Sequence, residues 1–70
     1  MYSNLNAEMM RAGLTRGEVA RRLGKSTSSL SNKLNGKAKL SIDEAFEISH
    51  LLQSVLGLEL PLEYLFEKKN

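Results

Sequence analysis

The sequence predicts an all-α fold of five short helices with no strand. Three observations carry that prediction. Apolar residues recur at three- and four-residue spacing through most of the 70-residue chain. Thr15, Ser26 and Ser41 stand just ahead of periodic segments, where a side-chain oxygen caps free amides. Gly13, Gly24 and Gly36 stand just behind such segments, where left-handed backbone closes a helix without steric cost.

The first helix is predicted over Tyr2–Ala12, with Leu5, Met9 and Ala12 at helical spacing. The second covers about Arg16–Leu23. It opens on Thr15-Arg16-Gly17-Glu18, which fits a capping box, and Leu14 is placed to staple onto Val19. Its inward set is Val19, Ala20 and Leu23. The third covers about Thr27–Asn35 and turns Leu30 and Leu34 inward. The fourth, Ile42–Ser54, opens on a second capping box, Ser41-Ile42-Asp43-Glu44, with Leu40 stapling to Ala45. One stripe of this helix holds Ile42, Ala45, Phe46, Ser49 and Leu52. A second apolar set, Ile48, Leu51 and Val55, either covers the core or forms a dimer seam with "LGLELPLEYLF". That last stretch reads as a connection followed by a short helix with Pro61 at its first position. Repeats and low-complexity segments are absent, so residues 1–70 are expected to form one domain.

Composition narrows the function. A chain of this length holds one modest core. With 41% hydrophobic and 26% charged residues it is too apolar for a disordered tail. It has no cysteine, which excludes disulfides, a thiolate nucleophile and zinc-finger spacing, and a single histidine excludes a His–His metal pair. No apolar run approaches the ~20 residues of a membrane span. The start "MYSNLNAEMM" lacks the basic and apolar regions of a signal peptide, so a cytoplasmic location is expected. The net charge of +2 conceals a division: residues 1–39 hold eight basic and two acidic residues, net +6. Residues 40–70 hold two basic and six acidic residues, net −4. The basic part is suited to a polyanion, and the acidic part to solvent or a protein surface.

Catalysis finds no inventory. The carboxylates are expected to be a helix cap (Asp43 and Glu44) and scattered exposed glutamates, with no pocket to raise a pKa. His50 falls into no serine-and-carboxylate constellation of the catalytic kind and reads as a partly exposed helix residue. Gly13, Gly17, Gly24 and Gly36 are too widely spaced to line one phosphate cradle. Met9, Met10 and Phe46 read as core. No metal, cofactor or small-molecule substrate is expected.

The second and third helices differ from the rest. Their connection, Gly24-Lys25-Ser26, is short enough to force a sharp crossing. Residues 26–35 contain four serines, one threonine and two asparagines, all poor helix formers. A helix needing only solvation is better served by Glu, Lys or Ala. By the 100° step, Ser28, Asn32 and Asn35 point away from Leu30 and Leu34, with Ser31 beside them and Thr27 in the first turn. Such short donors and acceptors suit base edges in the major groove, where all four base pairs differ. Arg16, Lys33, Lys37 and Lys39 flank this face and suit phosphates.

"LTRGEVARRLGKSTSSLSNKLNGK" resembles the helix-turn-helix of lambda-repressor-like proteins, the Cro/CI-type or XRE-like family, which also illustrates the motif in general accounts. The matching features are Ala20, the turn glycine Gly24, the apolar Leu30 and the Asn35-Gly36-Lys37 exit. A following capped helix ends in a Leu-Leu pair, and the resemblance spans roughly residues 5–66. It implies a compact five-helix DNA-binding domain whose third helix enters the major groove. The family's base-reading positions fall on Thr27, Ser28 and Asn32, with Ser31 near the bases. Its phosphate positions fall on Arg16, Asn35, Gly36 and Lys37, with Lys39 beyond. Many members carry glutamine at the start of both motif helices; here Arg16 and Thr27 stand there, so glutamine-to-adenine readout does not transfer to Thr27.

The expectation is a sequence-specific transcriptional regulator of phage or prophage type, binding a two-fold DNA operator as a homodimer through its C-terminal third. Within these 70 residues no second oligomerisation or self-cleavage domain is expected. The rival is a protein-interaction module, an antirepressor or antitoxin-like partner, using an apolar patch around Leu58–Phe66. RNA binding lacks the aromatic platform that single strands stack on.

Overall fold

The structure, a computed structural model, describes residues 2–68. Five helices follow in order: α1 Ser3–Ala12, α2 Arg16–Leu23, α3 Thr27–Leu34, α4 Ile42–Leu56 and α5 Leu62–Leu65. No strand occurs among the described residues. Boundaries move by a residue or two from the sequence reading. Tyr2 and Asn35 lie just outside α1 and α3, α4 runs two residues further to Leu56, and Pro61 precedes the first helical residue of α5.

Local chemistry accounts for the starts. The Thr15 hydroxyl accepts from the Glu18 amide at 3.2 Å while Glu18 Oε1 accepts from the Thr15 amide at 3.1 Å. Ser41 and Glu44 exchange the same pair at 3.1 and 3.0 Å, and Ser26 caps α3 by accepting from the Ser29 amide. Each box satisfies two amides that a helix start leaves bare. The Thr15 amide and hydroxyl hold the Glu18 carboxyl below its ordinary range, helped by the charges of Arg21 and Arg22.

One type of exit recurs. The amides of Leu14, Lys25 and Lys37 reach back to the carbonyls of Met9, Ala20 and Asn32 at 3.0, 2.8 and 2.8 Å. That bond needs a left-handed residue just before it, and Gly24 supplies it with φ of 71°. The chain therefore leaves α2 in a direction set by backbone hydrogen bonds, and α3 begins three residues later.

α2 packs on α3, α1 on α4 and α5, and α4 on both α2 and α5. The core joins Leu5, Met9, Val19, Ala20, Leu30, Leu34, Ile48, Leu52, Leu60 and Leu65 with Tyr2. Fully burying one such leucine or isoleucine contributes roughly 1.5–3 kcal/mol. Leu30 and Leu34 are both wholly buried, so α3 is fastened by one edge and leaves its opposite face free.

The fourth helix departs from the expected stripe. Ala45, Ser49 and Leu52 are buried as predicted, but Ile42 is 64% exposed and Phe46 47%. Ile48, assigned to the second set, is wholly buried, whereas Val55 is exposed. The buried face is thus rotated toward Ile48, because α1 and α5 both pack on α4 and bring their own apolar residues to that side. Phe46 instead borders an apolar groove of about 530 Å³ with Leu23, Leu51 and His50. Met10 is also corrected: it is 81% exposed while Met9 is buried.

Glu8, expected among the exposed glutamates, is buried, and so is the cap residue Glu44. Glu8 Oε2 accepts from the Tyr64 hydroxyl at 2.7 Å and its Oε1 faces Arg11 Nε at 3.6 Å. Asn4 Nδ2 donates to the Tyr64 carbonyl at 2.9 Å, and the rings of Tyr2 and Phe66 meet edge to face at 5.5 Å. α5 is therefore bound to α1 by polar as well as apolar contacts. The hydrogen bond to Glu8 raises the Tyr64 phenol above its ordinary range, with burial and the Glu8 charge acting the same way.

Candidate nucleic-acid interface

The free face of α3 presents Thr27, Ser28, Ser29 and Asn32, all exposed, with Ser31 half-buried at its margin. Asn35, Gly36, Lys37 and Lys39 follow in the exposed exit. All but Ser29 are positions singled out from the sequence, and they lie exposed or half-buried along α3 and into the α3–α4 connection.

Arg16 stands beside this surface at the start of α2. Its Nη1 donates to Ser31 Oγ at 2.8 Å and to Asn35 Oδ1 at 3.0 Å, and its Nη2 donates to Asn6 Oδ1 at 3.3 Å. All three acceptors are neutral. Among the described residues no carboxylate forms an ion pair with it. The guanidinium thus keeps its full charge while its direction is set from α1, α3 and the α3 exit. The same bonds orient its partners: Ser31 Oγ accepts from Arg16, which leaves the Ser31 hydroxyl proton free to donate outward. Asn35 gives its oxygen to Arg16 and keeps its amide donors for another group. The Asn6 contact had no signal in the sequence, because it joins helices that only tertiary packing brings together.

Lys33 is placed differently. Its Nζ donates to Glu44 Oε2, and Lys25 Nζ lies 3.5 Å from the same oxygen. The Lys33 hydrogen bond, aided by the Ser41 amide, holds the Glu44 carboxyl down to about 2. Glu44 was legible as a cap; that it also gathers one lysine from α3 and another from the α2–α3 turn was not. Lys33 thus ties α3 to the head of α4, with its charge balanced in part. Lys37 and Lys39 have no such partner among the described residues.

His50 is exposed on α4, and no group of three or more metal-ligating side chains converges among the described residues. No helix of the described residues is long and apolar enough to cross a membrane.

Two helices joined by a tight glycine turn, the second fastened by two leucines and carrying a polar outer face, define a helix-turn-helix protein. The helix-turn-helix family model matches residues 5–58, well over half of the chain. The chain belongs to this XRE and lambda-repressor-like family of DNA-binding regulators. Comparison with curated proteins and with solved structures finds no match in either set.

Proposed function

We propose that this protein is a sequence-specific regulator of phage or prophage type that represses transcription by occupying a two-fold DNA operator as a dimer. The observation that carries the reading is Arg16, a cation without a carboxylate, fixed against a helix face of serine, threonine and asparagine. Phosphate affinity and base discrimination draw on different chemistry, and here the two stand side by side.

In this reading Thr27, Ser28, Ser31 and Asn32 meet base edges. Asn32 is the one side chain of the four that can bond an adenine bidentately, so it carries the sharpest discrimination. Ser31 acts as a donor, given its bond from Arg16. Arg16, the Asn35 amide, the Gly36 backbone, Lys37 and Lys39 hold phosphates and fix register. Lys33 adds to the field mainly through what Glu44 leaves unbalanced. No bond is made or broken and no cofactor enters; repression follows from excluding polymerase, in the cytoplasm at the nucleoid.

A single recognition helix spans few base pairs, so two copies are placed on half-sites with centres roughly 34 Å apart. Val55, Leu58 and Tyr64, exposed in the C-terminal third, are large apolar or aromatic side chains available for that seam. Selection of bound duplexes from a random DNA pool tests the whole reading. A palindromic consensus is the expected result, and recovery of unrelated sequences overturns it. Failure to retard any duplex at moderate salt favours the interaction-module reading.

A further inference from the structure

We infer that the cleft where the α3–α4 connection meets the two ends of the described chain is a second phosphate site, one that takes DNA backbone phosphates beside the half-site met by α3. The inference rests on the DNA-binding reading above and extends it to Lys68, a residue outside the helix-turn-helix.

The cleft measures about 390 Å³ and is lined by Tyr2, Gly36, Lys37, Lys39, Leu40 and Lys68 among others. Three lysines border it and no acidic side chain does. Among the described residues none of the three forms an ion pair. The position of Lys68 is the informative part. It is the only basic residue described after position 39, in a half of the chain with six acidic residues. Yet it borders the basic connection, across the cleft from Lys37 and Lys39.

The fold brings this about. Phe66, two residues before Lys68, packs its ring against Tyr2, and Tyr2 in turn is 8% exposed and backs the cleft. An apolar wall behind a group of like charges focuses their field outward and makes the opening attractive to anions. The cleft also continues the first site. Arg16 bonds Asn35, Asn35 is followed by Gly36, and Gly36 and Lys37 already line the cleft. Cations therefore flank the α3 exit on both sides, Arg16 at Asn35 and Lys37, Lys39 and Lys68 around the cleft. Several separated lysines along an open trough suit a row of phosphodiesters better than one small anion, which a closed cradle of amides holds.

Salt-dependent binding tests this directly. The full chain and its Lys68→Ala and Arg22→Ala variants are titrated onto a random-sequence duplex of roughly two helical turns by fluorescence anisotropy. Arg22 borders the groove at Phe46 and serves as the charge control, and both residues are exposed, so neither variant threatens folding. The expected result is a log K against log salt slope shallower by about 0.9 for Lys68→Ala, with Arg22→Ala unchanged. An unchanged slope for Lys68→Ala, or equal flattening by both variants, overturns the cleft while leaving DNA binding intact. Absence of binding by the parent chain overturns both readings. Amide chemical shifts of residues 36–40 separate the ligand sources. Movement with the duplex, and none with inorganic phosphate at matched ionic strength, is expected. Movement with inorganic phosphate alone overturns the assignment to DNA.

Discussion

Replacing Glu44 with glutamine removes the charge that joins α3 to α4 while keeping a group of the same shape in the capping box. The parent carboxyl sits at about 2 against an ordinary 4.5. At about 1.4 kcal/mol per pH unit, that difference corresponds to roughly 3 kcal/mol of stabilisation at neutral pH. Lys25 and Lys33 keep part of their side chains in water, at 35% and 20% exposure, which screens the attraction. About 2 kcal/mol is therefore the loss expected for Glu44→Gln, a large fraction of the stability of so small a domain. Glu44→Ala also forfeits the cap bond to the Ser41 amide, worth about 1 kcal/mol more. The sign with pH follows from the depressed value. The stabilisation is fully present above about 4.5 and is lost as pH falls through about 2. Urea denaturation of parent and Glu44→Gln across that window checks it. The stability gap should be widest at neutral pH and should close steadily below about pH 4.5. A gap of constant size down to pH 2 would refute the ion-pair account and leave only shape and capping.

Four further outcomes follow from the geometry. Asn32→Ala and Ser28→Ala should each weaken binding to the selected operator by roughly 1–3 kcal/mol while sparing random duplex, measured by paired anisotropy titrations. Arg16→Ala should weaken operator and random duplex alike, flatten the salt slope by about 0.9, and shift the Ser31 and Asn35 resonances in the free protein. Gly24→Ala forces a β-carbon into left-handed backbone with open space around it, so the cost of about 1 kcal/mol is conformational and should appear in denaturation without any change in packing. Tyr64→Phe takes the hydroxyl donor from a buried carboxylate and should lower the melting temperature and speed hydrogen exchange at the Leu65 amide.

The helix count and the two capping boxes were legible because each depends on residues three or four apart. Thr15 with Glu18 and Ser41 with Glu44 find each other through local backbone geometry alone. Leu30 and Leu34 were legible for the same reason, and with them the outward direction of Ser28 and Asn32. The side of α4 that turns inward was not. Ile42 and Phe46 compete with Ile48 for burial beside Ala45, Ser49 and Leu52, and helical periodicity permits either choice. α1 and α5 decide between them, and their position is a tertiary fact. The same limit hid Glu8, whose partner Tyr64 is 56 residues away, and the Lys33–Glu44 pair, 11 residues apart and on different helices. Charge asymmetry showed that the first half is basic, but not that Arg16 keeps its charge free while Lys33 shares its own.

The contact between Tyr2 and Phe66 has a bearing on how the molecule is made. Leu5 and Met9 of α1 share a core with Leu60 and Leu65, so α1 gains its last packing partners only once those distant residues have been made. Until then α1 holds an apolar stripe with part of its cover missing, and residual helicity in so short a segment is marginal in water. The helix-turn-helix pair, closed by local bonds at Gly24, does not share that dependence. Assembly is then expected to run from the middle outward: α2 and α3 dock first, α4 joins them, and α1 and α5 close last. A domain that completes itself in this order has α3 shaped before α1 and α5 have met.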